Sequence, residues 1–374
     1  MHKKKIMHVT FDMRIGGTEM VIKNIIQGSD KDKYEMSVLC IESPLGPFAD
    51  DLIAKGIQFH QLSRKPGFDF SLINVIRKII HSEKIDILHC HQYTPWVYGV
   101  IAAAFTKTKV IFTEHGRFYP DSSSWKRNLI NPLLNLFTGQ ITAISKATKQ
   151  ALVEYENLPE KDIEVIYNGI APLIVKHDEA WALRNELGIN DHTTILGTIA
   201  RLDPIKNHSM MLKAFSLVLK QAPDTVLIIV GDGEERVNIE SKISKLQLEG
   251  KVILTGYQAE PKNYLALMDI YLLSSLSEGT SMTLLEAMSL GKPCVVTNAG
   301  GNPEIINDKV SGFVTTNDNC KEFSQAICKA LSSSSCIEQL SESAGNRYTA
   351  LFTDAKMNMQ YAALYEKSAP TGNC

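Results

Sequence analysis

Ser274-Ser275-Leu276-Ser277-Glu278-Gly279-Thr280-Ser281-Met282-Thr283-Leu284-Leu285-Glu286-Ala287-Met288 is the stretch on which the reading of this chain turns. An apolar run over 269–273 predicts a buried strand leading into it. Glycine and small hydroxyl residues make a turn, Ser281 is placed to cap a helix, and Gly291 to stop it. Strand, tight turn and helix start form the place where an α/β sheet holds an anion, because free N–H groups and the positive helix end point at one spot. Glu278 and Glu286 bracket that spot. A carboxylate beside an anion site is suited to accept hydrogen bonds from hydroxyls. A phosphate lying between hydroxyl-rich groups describes a nucleotide sugar.

Glu278, seven residues and Glu286, within SEGTSMTLLEAMSLGKPCVVTNAGG, resemble the E-x7-E motif of the retaining glycosyltransferases of family 4 (glycosyl transferases group 1). The resemblance implies an α/β chain of GT-B fold, two Rossmann-like parallel-sheet domains facing across a cleft. It implies a place for Glu278 near the donor hexose and for Glu286 on the ribose, with phosphate-binding amides from Gly279, Thr280 and Ser281. Ala200-Arg201-Leu202-Asp203-Pro204-Ile205-Lys206 is similar to the family's R-L-x-x-x-K segment, which implies that Arg201 and Lys206 contact the donor diphosphate. The chemistry agrees, since fixed cations stabilise a departing phosphate more as its charge grows. A salt bridge to Asp203 or another surface acid is the simpler alternative. Where the family often has Gly-Phe-Pro after its first Glu, this chain has Gly279-Thr280-Ser281, a departure that bears on sugar choice.

The first half repeats the strand–turn–helix theme. A strand over 5–11 leads to Gly16-Gly17, which resembles the family's first-domain glycine loop near donor phosphate and acceptor; a turn requiring positive φ is the alternative. A strand over 85–89 runs into His89-Cys90-His91. Such a pair points to one side of a strand, but no third ligand is adjacent in sequence, so no metal is expected there. Asp30-Lys31-Asp32 matches the D-x-D string of metal-dependent transferases but falls in a charged turn. A strand over 109–113 ends at Glu114-His115-Gly116, and the resemblance implies a place for His115 near the transferred sugar. Residues 123–137 combine Trp125, Lys126 and Arg127 with Leu129, Ile130, Leu133, Leu134 and Phe137. They read first as a core helix kinked at Pro132, and alternatively as an amphipathic helix lying on lipid.

Tyr167-Asn168-Gly169-Ile170 resembles the family segment closing the first domain, and Gly231-Asp232-Gly233 its G-x-G turn. Tyr257 begins a loop that in relatives lies beside the nucleobase, and Gly300-Gly301 resembles a turn near the donor. The expected organisation is an acceptor-side domain over 1–172, a nucleotide-sugar domain over 173–353, and a last helix over 354–374 crossing back to the first.

Composition fits this outline. The chain has 374 residues, room for about two domains. Residues 1–150 carry 20 Lys/Arg against 13 Asp/Glu, whereas the remainder is acidic. A basic first half suits an anionic surface or a diphosphate-linked acceptor. No apolar run reaches the roughly 18–20 residues that span a bilayer, and Asp12 and Arg14 interrupt the run after Met1-His2-Lys3-Lys4-Lys5 too early for a signal peptide. Seven cysteines, odd in number and without a C-x-x-C, indicate neither a disulfide framework nor a zinc site and suggest the cytosol. The expected activity is retaining transfer of a hexose from a nucleotide diphosphate sugar, UDP-hexose by preference, to a saccharide or lipid-linked saccharide acceptor in cell-surface polysaccharide synthesis. No metal cofactor and no nucleic acid partner are expected, and membrane contact through the first domain would be peripheral. The rival functions are a nucleotide-sugar epimerase of the same architecture and a non-catalytic nucleotide-binding module.

Overall fold

Strands of three to seven residues, most of them buried on both faces, alternate with helices, and this pattern can form only parallel sheets with crossover connections. The computed structural model describes residues 3–116 and 122–368. The chain divides into two compact units, Met1–Gly169 with Asp354–Cys374, and Ile170–Thr353. The last helix, Asp354–Lys367, therefore belongs to the first unit.

The first unit holds β1 (Lys4–Thr10), β2 (Tyr34–Cys40), β3 (Gln58–Gln61), β4 (Ile87–His91), β5 (Lys109–Glu114), β6 (Gln140–Ala143) and β7 (Ile163–Val165), in the order β3-β2-β1-β4-β5-β6-β7. The second holds β8 (Thr194–Ile199), β9 (Thr225–Val230), β10 (Val252–Gly256), β11 (Ile270–Leu273), β12 (Cys294–Thr297) and β13 (Gly312–Thr315), in the order β10-β9-β8-β11-β12-β13. All ladders between these strands are parallel. Each sheet has one switch point, β1/β4 in the first unit and β8/β11 in the second. The crevice beyond the strand ends at a switch point is where doubly wound sheets bind ligands.

Three elements escape the sequence pattern. Helix Tyr93–Ala103 buries seven residues distributed all round, so it shows no apolar stripe. Helix Arg236–Lys245 buries only Ile239 and Ile243. β13 is a four-residue edge strand. Helix Ser334–Leu351 starts inside the run Ser332-Ser333-Ser334-Ser335, because the Ser333 hydroxyl caps it by accepting from the Cys336 N–H. The six described cysteines are free thiols, and Cys374 lies outside the described residues.

Candidate active site

In the second unit, the loop after β8 and the turn after β11 are built as one piece. Asp203 caps a short 3-10 turn by accepting from the Lys206 N–H at 3.1 Å, and the left-handed Asn207 (φ 48) caps the helix that follows. The Ser274 hydroxyl donates to the Lys206 carbonyl at 2.7 Å, and the Leu276 N–H donates to the Ile205 carbonyl at 2.8 Å. These bonds fix the Lys206 ammonium 2.6 Å from Glu278 Oε1, to which the Ser275 hydroxyl also donates at 2.6 Å. The Glu278 side chain is only 9% exposed. Such a pair carries a desolvation penalty that its partner and hydrogen bond must offset, so it is weak evidence for a purely stabilising role.

The helix Met282–Ser289 starts beside this pair. Its cap is Ser281, whose hydroxyl accepts from the Leu284 N–H. Gly291 (φ 65) stops it, as its position in sequence indicates. Glu286 lies one turn further on. Burial pushes its carboxyl up to about 7, and among the described residues no side chain holds it. Beneath both carboxylates the buried Tyr271 hydroxyl lies 2.7 Å from Thr283 Oγ1. Burial first, then the charges of Glu278 and Glu286, raise its pKa, so both carboxylates lie within electrostatic reach of one phenol. Gly279 is partly buried, and Thr280 is buried at the same turn.

Gly300 clamps the turn from the far side. Its φ is +49, and a Cβ there would lie 1.7 Å from the Glu278 carbonyl oxygen, so only glycine fits. Gly231 and Gly233 do the same for the β8 loop, where a Cβ would meet the carbonyl oxygens of Ala200 and Leu202 at 2.0 and 2.3 Å.

Arg201 does not join the pair. Its guanidinium is exposed and lies on Asp203, with Nη2 2.8 Å and Nε 2.9 Å from Oδ2. This is the simpler of the two arrangements weighed for it. The reason is local: two residues apart, the guanidinium reaches the free oxygen of the carboxylate that caps the turn. Tyr257 stands exposed after β10, and among the described residues no hydrogen bond or ring contact ties it to the group. His208, next to the loop, was not singled out from sequence. It is buried with both ring nitrogens unpartnered, and burial lowers its pKa to about 4.

In the first unit the switch point is lined by histidines. Parallel register sets His8 on β1 beside His89 on β4, and His91 points the same way. His8 Nδ1 lies 2.9 Å from His91 Nε2, and His91 Nδ1 lies 2.8 Å from His115 Nε2. His89 uses one nitrogen with the Tyr365 hydroxyl (2.8 Å) and the other with Thr113 Oγ1 (2.7 Å). Burial lowers His8 and His115 to about 3 and lowers His89 and His91 strongly, so all four rings are neutral at neutral pH. A neutral imidazole has one donor and one acceptor nitrogen, so the tautomer of His115 is tied through His91 to that of His8. Among the described residues the outer nitrogens, His115 Nδ1 and His8 Nε2, have no partner.

No third ligand is adjacent to His89 and His91 in sequence, but the fold brings His8 beside them. Ring nitrogens of His8, His89 and His91 lie within 4.8 Å of one another. The third member comes from a strand far away in sequence, which no local spacing reveals. Hydrogen bonds already occupy both nitrogens of His89 and of His91. Gly16 is extended (φ −165) at the start of helix Gly17–Gly28, so no left-handed turn requires it. A Cβ at Gly16 would instead meet Glu19 Oε2 at 2.3 Å, and burial raises the Glu19 carboxyl to about 7. Asp30 accepts from the Asp32 N–H in an exposed turn beside Lys33, as a structural cap does.

Comparison with known proteins gives the following. Residues 15–172 match the model described as Glycosyltransferase Family 4, and residues 179–347 the model described as Glycosyl transferases group 1. The chain is 26% identical over 343 residues to the Escherichia coli UDP-Gal:alpha-D-GlcNAc-diphosphoundecaprenol alpha-1,3-galactosyltransferase, covering 87% of this chain and 88% of the relative. It is 26% identical to the N-acetyl-alpha-D-glucosaminyl L-malate synthase of Bacillus anthracis, covering 85% and 86%. Its fold superposes on Anabaena HepE solved with UDP (TM-score 0.86, 22% identity, 98% and 100% covered). It also superposes on a glycosyltransferase from Rickettsia africae (TM-score 0.87, 20% identity, both chains fully covered).

Proposed function

Since this chain belongs to the glycosyltransferases of family 4, we propose that it moves a hexose from UDP-hexose, with retention at the anomeric carbon, to a hydroxyl of a saccharide or lipid-linked saccharide in cell-surface polysaccharide synthesis. The observation that carries this reading is the Lys206–Glu278 pair at the β8/β11 switch point, beside a helix start with Glu286 one turn on. Without donor, Glu278 holds the Lys206 ammonium in place. With donor bound, Lys206 turns to the diphosphate, Glu278 accepts from sugar hydroxyls, and Glu286 accepts from the ribose. The amides of Gly279, Thr280 and Ser281 face phosphate at the positive helix end. Arg201 reaches the diphosphate by leaving Asp203, and Tyr257 flanks the base.

Retention by double displacement would need a carboxylate nucleophile at the sugar carbon. We assign Glu278 to hydroxyl binding instead, so the acceptor attacks from the face of the departing diphosphate, which takes the acceptor's proton. Lys206 stabilises the charge that grows there, a kind of contribution often worth ~10²–10³ in rate. In the first unit, His115, half-buried and neutral, donates to or accepts from a sugar hydroxyl, and the amides after Gly16-Gly17 approach donor phosphate and acceptor. The acceptor class is supported by the E. coli relative, whose name specifies a diphosphoundecaprenol-linked saccharide. The enzyme works in the cytoplasm, peripheral to the membrane, and without a metal ion.

A melting-shift screen with UDP-, GDP- and ADP-hexoses identifies the donor. NMR of the product made with that donor then tests the reaction. The expected product keeps the donor's anomeric configuration, forms only when acceptor is present, and forms equally well in EDTA. An inverted product contradicts the mechanism. Isomerised donor without acceptor identifies an epimerase, and loss of activity in EDTA contradicts metal independence.

A further inference from the structure

One helix of the first unit is built inside out. On the inner side of Trp125–Asn135 the anchoring is polar: Arg127 pairs with buried Glu156 at 2.7 Å, and Asn131 donates to the same carboxylate at 2.8 Å while accepting from the Tyr93 hydroxyl. Pro132 cannot donate to the Asn128 carbonyl, and the Asn157 side chain supplies the missing bond at 2.9 Å. Only Asn131 and Leu134 of this helix are buried. The reading of 123–137 as a core helix is therefore corrected, because the large apolar residues face outward.

That outer face is continuous. Trp125, Leu129 and Leu133, each four residues apart, are 73, 65 and 59% exposed, and Leu136 beyond the helix end is 77% exposed. Phe105, 93% exposed on the turn before β5, packs edge-on against Phe137 at 5.4 Å and extends the patch from a separate element. Exposed Lys107, Lys109 and Lys126 border it, with Lys126 placed over the Trp125 ring. The sequence from Ser122 to Val153 contains no acidic residue.

We propose that this face docks on the surface of an anionic lipid bilayer. Apolar residues at helical spacing, a tryptophan beside a lysine, and a border of exposed lysines are what an interfacial helix needs. A second copy of the chain fits less well, since two-fold pairing would set the basic border against itself. Among the described residues no helix is long and apolar enough to cross a membrane, so the contact is one of surface lying. The proposal is the physical counterpart of the lipid-linked acceptor proposed above, but it stands on exposure and charge and can fail separately.

Sedimentation with phosphatidylcholine vesicles, with and without a third of the lipid replaced by phosphatidylglycerol, tests it. The full chain is expected to bind the anionic vesicles and to bind less as salt rises. Leu129→Ser with Leu133→Ser should lower that affinity at least tenfold. Lys107→Gln with Lys126→Gln should lower binding to anionic vesicles and leave the weak binding to neutral ones unchanged. All four side chains are exposed, and an unchanged melting temperature and UDP affinity would show that each variant is folded and its nucleotide site intact. Absence of binding by the wild type, or equal binding by the leucine variant, overturns the proposal. So does a dimer, seen by light scattering, that the leucine variant dissolves. UDP binding that survives such a result leaves the transferase reading untouched.

Discussion

Glu286 illustrates how much one half-buried carboxyl decides. Its pKa is raised from 4.5 to about 7 by burial alone, so below neutral pH it is mostly protonated. A protonated carboxyl has lost acceptor capacity for a ribose diol. Nucleotide binding therefore favours the ionised form and should release a proton. UDP affinity is expected to rise with pH up to about 7 and then level off, falling by up to about tenfold per pH unit below that value. Glu286→Gln should weaken binding and flatten the dependence. Calorimetric titration across this range checks both, and a pH dependence preserved in the Gln variant would remove Glu286 from the nucleotide site. The placement of Glu286 on the helix that starts beside Glu278 was legible because that spacing is local. The engagement of Arg201 with Asp203 was legible only as one of two options, since nothing in a sequence decides which carboxylate a flexible guanidinium takes. The meeting of His8 with His91 was not legible at all. It depends on β1 lying next to β4 in one register, and a lone histidine in an apolar strand carries no mark of that.

At the scale of elements, the second-unit site is three turns pressed together at adjacent strand ends. The Thr297 hydroxyl donates to the Ser275 carbonyl at 2.5 Å, and the Gly301 N–H donates to the Glu278 carbonyl. The contact of Gly300 with the Glu278 backbone leaves no space for a methyl group. Gly300→Ala should therefore shift the turn carrying Glu278, costing about 1–3 kcal/mol of stability and weakening UDP-hexose binding. Chemical denaturation and titration of the purified variant check this, and wild-type values in both would show that the turn yields freely. Turn and helix boundaries here could be read from Ser281 and Gly291, because caps are local chemistry. The orientation of helix Trp125–Asn135 could not be read. Its apolar residues outnumber those one face can hold, and which face turns inward is decided by Glu156 and Asn157 on another helix.

For the molecule as a whole, the two sheets and their order follow from alternating strands and helices, but the weight of the buried histidines emerges only in the fold. Four imidazoles in the first unit have pKa values depressed below the unfolded value of 6.5. The native state excludes protons that the unfolded chain accepts. Stability is thus greatest above about pH 6.5 and is lost as pH falls toward 3, by up to about 1.4 kcal/mol per pH unit for each excluded proton. Denaturation midpoints should drop steeply between about pH 6.5 and pH 5, and less steeply in His8→Gln. Equal slopes in the two proteins would mean that the cluster takes up protons without unfolding.

The central claim is that Glu278 and Lys206 serve the sugar and the diphosphate of one donor. Its most direct test is calorimetric titration of UDP and UDP-hexose into the wild type, Glu278→Gln and Lys206→Ala. The account predicts that Glu278→Gln keeps its UDP affinity and loses the added affinity for the sugar, whereas Lys206→Ala weakens both ligands tenfold or more. Wild-type affinities for both ligands in both variants would contradict it.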